Sequence, residues 1–293
     1  MSYDLYFYKQ KGPQLTEEQF AAWLTEHLTQ PNESETQWFF ENEDTEVYFS
    51  MDKNEPEADP DSIESFESFA AFDYTHFSFN LNFLRPEFFG IEAFQFVTQL
   101  VEALGLFVLD PQSANDNPFR PTFDELFDNW NRTNLGASKD HFKKKEHTYF
   151  DPQKSNDSWE FNFHRKRWQE ELGEGYYVPK LYFFRTRKDG RAFTLTIWSS
   201  HIPMIIPPAD YFLLTKEHLK KGKTVKETAM VSRDTVLSRF GASFEPFDHK
   251  DCLIIHPEKA NSVQDAFNAT ELEYVLDDFA DRVAMEMLFN AKP

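Results

Sequence analysis

One cysteine, Cys252, stands among 293 residues, so neither a disulfide framework nor a cysteine-rich zinc module can be built. Glycine is also scarce, at nine residues. There is little material for a phosphate-cradling loop, and neither G-x-G-x-x-G nor G-x-x-x-x-G-K-[ST] occurs. The G-x-S-x-G elbow and the kinase signatures are missing as well, which argues against the common NTPases, kinases, Rossmann enzymes and α/β-hydrolases. No apolar run approaches the ~18–20 residues that cross a bilayer. The opening, Met1 to Lys9, lacks a basic stretch followed by an apolar one. The expected location is therefore cytoplasmic, away from membrane, with Cys252 reduced.

The scarcest feature is positive charge near the start. Residues 1–138 carry six Lys+Arg against 26 Asp+Glu, whereas residues 139–293 carry 24 of each. The net charge of −20 thus belongs wholly to the first half. Its densest part, Glu33 to Asp73, has 14 acids opposed only by Lys53. Residues 139–226 lean basic, with 18 basic and 11 acidic residues. An acidic face repels nucleic acid and anionic lipid, and it steers basic proteins toward itself. The plainer reading of the acids is solubility for a chain with 33 phenylalanines.

Those phenylalanines fall mostly at strand or helix spacing and predict core. Tyr3 to Lys9 reads as a buried strand. Thr16 with Gln19 forms a capping box for a helix whose apolar face is Phe20, Trp23, Leu24 and Leu28. Trp38–Phe40 and Val47–Phe49 predict a hairpin around an acidic turn. Phe77, Phe79, Leu81 and Phe83 alternate with Ser78, Asn80 and Asn82, the clearest strand pattern in the chain. A helix over 88–104 and a short strand at 106–109 follow. The order β-α-β-β-β-α-β predicts a mostly antiparallel sheet with two helices on one face, a ferredoxin-like variant.

Turn formers over 111–122 suggest a boundary. The expected division is an acidic α+β domain at 1–113 and a second α+β domain at 114–293, packed closely on the first. In the second, Trp159–Phe163 reads as a strand and Val178–Trp198 as a hairpin about Asp189-Gly190. A C-terminal helix capped by Thr270 and Glu273 would present Leu272, Val275, Leu276, Phe279, Val283 and Met287 to the core.

Candidate chemistry is thin. His249, Cys252 and His256 form the one compact group of metal-type ligands. On a strand, Cys252 and His256 would stand about 13 Å apart at ~3.3 Å per residue, too far for one metal or hydrogen bond. A buried structural cysteine is the better reading. The Glu41–Glu46 acids lack the spacing and glycine of an EF-hand. The basic stretches His141–His147 and His164–Trp168 carry aromatics, but the net charge disfavours nucleic acid. Phe66, Phe69 and Phe72 could line one exposed helix face. No metal or cofactor is implied, and no residue set points to catalysis.

The segments Met1-Ser-Tyr-Asp-Leu-Tyr-Phe-Tyr8, Trp38 to Phe49 and Phe79 to Pro86 resemble an uncharacterised bacterial protein family of about this length. The acidic, aromatic-rich α+β character resembles immunity proteins of polymorphic toxin and type VI secretion systems. That resemblance implies a non-enzymatic inhibitor that binds a cognate toxin and blocks its active site. The expected partner is a basic toxin or other protein, met by Glu41, Glu43, Asp44, Glu46, Asp52, Glu55, Glu57, Asp59, Asp61, Glu64 and Glu67 with aromatic anchors nearby. Two alternatives stay open. One is an enzyme or small-ligand binder for an anionic substrate at the domain interface, collecting His164, Arg165 and Arg185. The other is a structural subunit of a bacterial assembly.

Overall fold

In the computed structural model, residues 2–12, 15–55, 69–142, 147–199, 201–220 and 223–292 are described. The fold is mixed α+β, and the chain forms two compact units: Met1–Lys145 with Phe289–Pro293, and Glu146–Leu288.

Unit 1 follows the order read from the sequence. β1 (Ser2–Gln10) leads to α1 (Glu17–His27), β2 (Gln37–Glu41), β3 (Tyr48–Lys53), β4 (Phe72–Asn82), α2 (Glu87–Leu104) and β5 (Phe107–Leu109). The sheet order is β2-β3-β4-β1-β5, antiparallel at every junction. β1 and β3 therefore run parallel on either side of β4, which is the ferredoxin-like arrangement with β2 added at the edge. Thr16 and Gln19 exchange the two capping-box hydrogen bonds that start α1.

Alternation decides which face is buried. Phe77, Phe79 and Leu81 of β4 are fully buried, while Ser78, Asn80 and Asn82 face the other way. Phe20 of α1 stacks on Phe77 at 4.1 Å, and Phe94 of α2 meets Phe79 at 5.9 Å. Each fully buried phenylalanine contributes roughly 1.5–3 kcal/mol. The phenylalanine excess is thus largely core. Phe69 packs on Tyr8 and Phe72 lies in β4 against Phe107, so these two do not share an exposed helix face. Phe66 lies outside the described residues.

The turn-rich segment 111–122 is not where the units part. Asp110 is fully buried and accepts hydrogen bonds from the Tyr3 hydroxyl, the Gln112 N–H and Asn129. Burial and this carboxylate together push the Tyr3 phenol pKa up. Phe119 pairs with Val108. The chain then enters α3 (Phe123–Phe142), whose Trp130 lies buried against Phe94 of α2. A loop so anchored belongs to the unit before it, and the division falls at Lys145/Glu146 rather than 113/114. α2 has no side-chain cap of its own. Asn290, returning from the far end of the chain, accepts from the Glu87 N–H at 2.7 Å.

Unit 2 corrects two expectations. Residues 159–163 are helical, within α4 (Pro152–Leu172). Asp151 caps that helix by accepting from the Lys154 N–H, and Pro152 opens it. Five alternating residues fit a helix as well as a strand here, because Trp159 and Phe163 meet at i,i+4 with rings 5.3 Å apart. The hairpin around Gly190 forms as β6 (Tyr182–Thr186) and β7 (Ala192–Ser199). β8 (Met204–Ile206) sits at the edge of a small sheet, as its flanking prolines require. β9 (Tyr211–Lys220) runs parallel to β7 and antiparallel to β10 (Lys223–Ser232), which leads into α5 (Arg233–Phe240).

The long C-terminal helix does not form. Tyr274 instead makes a backbone bridge to Met230 of β10, only Leu276–Phe279 is α-helical, and Met285–Met287 forms a single 3-10 turn. Ala280–Arg282 then pairs with β6. Glu273 caps no helix of its own; its carboxylate accepts from the Ser232 N–H and Oγ and from Thr235 at the start of α5. Long-range pairing thus overrides a local helix signal.

Two glycines in helices should respond oppositely to alanine. A Cβ on Gly90 would lie 2.5 Å from the buried Trp130 ring, whereas one on Gly136 of α3 meets nothing within 4 Å. Gly136→Ala is expected to raise Tm through a propensity gain of about 1 kcal/mol. Gly90→Ala is expected to lower Tm, overpacking of about 1–3 kcal/mol outweighing that gain. Thermal melts of both variants check this.

Candidate protein-binding surface

The acidic turn between β2 and β3 has a fixed shape. Asn42 and Val47 close it, with the Asn42 N–H donating to the Val47 carbonyl at 2.9 Å. The Glu46 N–H donates to the Asn42 carbonyl at 2.7 Å, and Glu46 adopts a left-handed φ of 63°. The Asn42 side-chain oxygen accepts from the N–H groups of Asp44 and Thr45.

A buried carboxylate from α2 holds this turn. Glu92, 6% exposed, accepts from the Asn42 side-chain amide at 2.7 Å and from the Thr45 hydroxyl at 2.8 Å. A buried carboxylate is costly unless its oxygens are hydrogen-bonded, and here one oxygen takes each donor. The sequence reading missed Glu92. Its signal was an acid on the apolar face of a helix, at i+4 and i+3 from Phe88 and Phe89, which are buried beside it in α2.

Thr45 and Val47 are buried, and the acids of the turn are less so. Glu41 and Glu43 are exposed, and Asp44 and Glu46 half-buried. Asp52 is on β3, where Gln37 and Ser50 donate to its two oxygens at 2.7 and 2.9 Å. Glu55 lines a different feature, an open groove of about 850 Å³ shared with Glu17, Glu18, Glu35 and Trp38. Lys53 enters that groove and pairs with Glu17 at 2.8 Å. Glu57, Asp59, Asp61, Glu64 and Glu67 lie outside the described residues. The structure therefore joins Glu41–Glu46 into one patch, leaves Asp52 within the sheet face and sends Glu55 to the groove.

Phe39 is the aromatic partner of this patch, and sequence reasoning did not single it out. It is 52% exposed on β2, on the sheet face opposite the helices, with its ring 6.0 Å from Tyr48. Arg85 in turn lies over the Tyr48 ring at 5.3 Å and donates to its hydroxyl. The patch thus combines carboxylates, an exposed ring and a tyrosine held in place, groups suited to binding but without a nucleophile–base pair.

Other candidates are absorbed by the fold. Cys252 is buried, and burial pushes its thiol up to about 12, which disfavours a reactive thiolate. His256 is engaged with the Tyr176 hydroxyl at 2.7 Å. His249 packs on Trp168 at 4.7 Å beside His164. Among the described residues no three His, Cys, Asp or Glu side chains are grouped to hold a metal ion. Arg165 donates to the Val178 carbonyl. A cleft of about 470 Å³ in unit 2 gathers Lys154, Arg191 and Arg233. Lys154 is clamped by Asp210, Arg191 donates to Tyr211, and Arg233 donates to the carbonyls of Pro207 and Asp251. The Glu273 carboxylate already occupies the start of the adjacent α5. No described helix is long and apolar enough to cross a membrane.

No family model matches the chain, and neither does any curated protein or solved structure.

Two outcomes follow from this geometry. Glu92→Leu leaves the Asn42 and Thr45 donors unmet and is expected to cost about 1–3 kcal/mol in urea unfolding, with faster amide exchange across 43–46. His249 has its pKa lowered, chiefly by burial, with Glu160 and Asp157 opposing and His164 and Lys250 adding to the effect. A histidine depressed in the folded state binds its proton more readily when unfolded, so stability is lost as pH falls below about 6.5. His249→Gln is expected to shrink the difference in urea midpoint between pH 7.5 and 5.5.

Proposed function

We propose that this protein is a non-enzymatic binding protein of immunity type, one that neutralises a basic bacterial toxin through the acidic surface of unit 1. The observation that carries the reading is the Glu92-held turn: four acids, two exposed and two half-buried, on a hairpin whose β2 strand carries an exposed phenylalanine. Pre-organised charge gives fast, selective encounter, and a nearby ring supplies area for a desolvated contact. Flexible acids would serve solubility equally well, so a buried support beneath them favours a binding role. The net charge of −20, confined to residues 1–138, supplies the long-range attraction.

The test is co-expression with the product of a neighbouring toxin reading frame, followed by association kinetics. Replacing Glu41, Glu43 and Glu46 by Gln and Asp44 by Asn is expected to slow association roughly tenfold at low salt while changing dissociation less. High salt should remove most of that difference. An association rate indifferent to both changes, or turnover of a metabolite by the purified protein, would sink the reading.

A further inference from the structure

The β2 edge leaves backbone groups open to solvent. The ladder with β3 runs without a bulge from Gln37↔Asp52 to Glu41↔Tyr48. The Asn42 N–H bonds Val47 and the Lys53 N–H bonds Thr36, one at each end of the hairpin. Antiparallel pairs alternate between bonded and non-bonded, so Trp38 and Phe40 spend their backbone groups on β3. Gln37, Phe39 and Glu41 point theirs away from it. Asn32 takes those of Gln37: its side-chain oxygen accepts the Gln37 N–H at 3.2 Å, and its N–H donates to the Gln37 carbonyl at 2.8 Å. The outward N–H and C=O of Phe39 and Glu41 meet no described residue, and β2 is the last strand of its sheet.

Natural sheets blunt such an edge with lysine, proline or a bulge. Gln37-Trp-Phe-Phe-Glu41 has no lysine, proline or bulge, and its one charge is the terminal Glu41.

We propose that this edge accepts an extended, lysine- or arginine-bearing segment of a second protein, which pairs with Phe39 and Glu41 as an added strand. The proposal rests on the basic-partner reading above and names the part of the surface that reads backbone. Charge selects the occupant. A second copy would bring another −20 and a second acidic turn to the same place. A basic strand instead lays its side-chain stems along the exposed Phe39 ring and its charged ends beside Glu41 and Glu43.

The experiment uses the full chain and two synthetic peptides, one alternating lysine with valine, the other glutamate with valine. In the wild-type protein the lysine peptide is expected to slow amide exchange at Phe39 and Glu41, with Trp38 and Phe40 unchanged because β3 already protects them. Phe39→Pro removes one outward N–H and no bond to β3, and is expected to weaken lysine-peptide binding about tenfold. Phe39→Ala keeps that N–H and should weaken it less. If Phe39→Pro fails to fold, wild-type exchange still decides. Protection elsewhere, or full affinity in Phe39→Pro, overturns the edge proposal. Salt-sensitive binding elsewhere on unit 1 would then leave the basic-partner reading standing. Equal binding of both peptides counts against both. Protection of Phe39 and Glu41 by self-association, without peptide, overturns the choice of occupant.

Discussion

The Glu92 carboxylate is the point from which the acidic turn of unit 1 is set. An acid buried in α2 must find donors, and Asn42 and Thr45 supply two of them. Satisfying them fixes the turn, the turn fixes the β2–β3 register, and the register decides which backbone groups of β2 face outward. A helix side chain thereby controls the presentation of a strand 50 residues away in sequence. Within the turn the buried positions are taken by Thr45 and Val47, and Glu41 and Glu43 are left exposed.

Much of unit 1 was legible because its signals are local. The period-two pattern in β4, the capping box at Thr16 and the acidic hairpin each depend on a few neighbouring residues. Unit 2 was harder where distant partners decide. The Thr270–Glu273 pair has the form of a helix start, yet the Glu273 carboxylate is drawn to Ser232 and Thr235, and Tyr274 to Met230. Trp159 to Phe163 reads both ways until Asp151 and Pro152 set a helix. The turn-rich 111–122 segment looked like a linker because a buried Asp110 is invisible without its partners. The same limit applies to the candidate binding surface. The acids were readable as composition; their support by Glu92 and the open groups of Phe39 are properties of pairing, which residue types alone do not specify.

The two units handle charge differently. In unit 2, acids and bases meet one another: Lys250 with Asp157 and Glu160, Arg187 with Asp281, Lys154 with Asp210. Such pairs cancel at short range and add little stability where exposed. The N-terminal segment has too few cations for that arrangement, so its excess of 20 negative charges is not cancelled within residues 1–138. A basic molecule within about a Debye length, roughly 8–10 Å at ordinary ionic strength, meets this excess chiefly on unit 1.

The bond from Glu87 to Asn290 makes unit 2 an insertion within the chain of unit 1. A ribosome releases residues in order, so α2 waits for its cap until every residue of the insertion has emerged. The acidic unit, begun first, is finished last. Its helix start, five residues ahead of Glu92, lacks the Asn290 acceptor until that residue has been added.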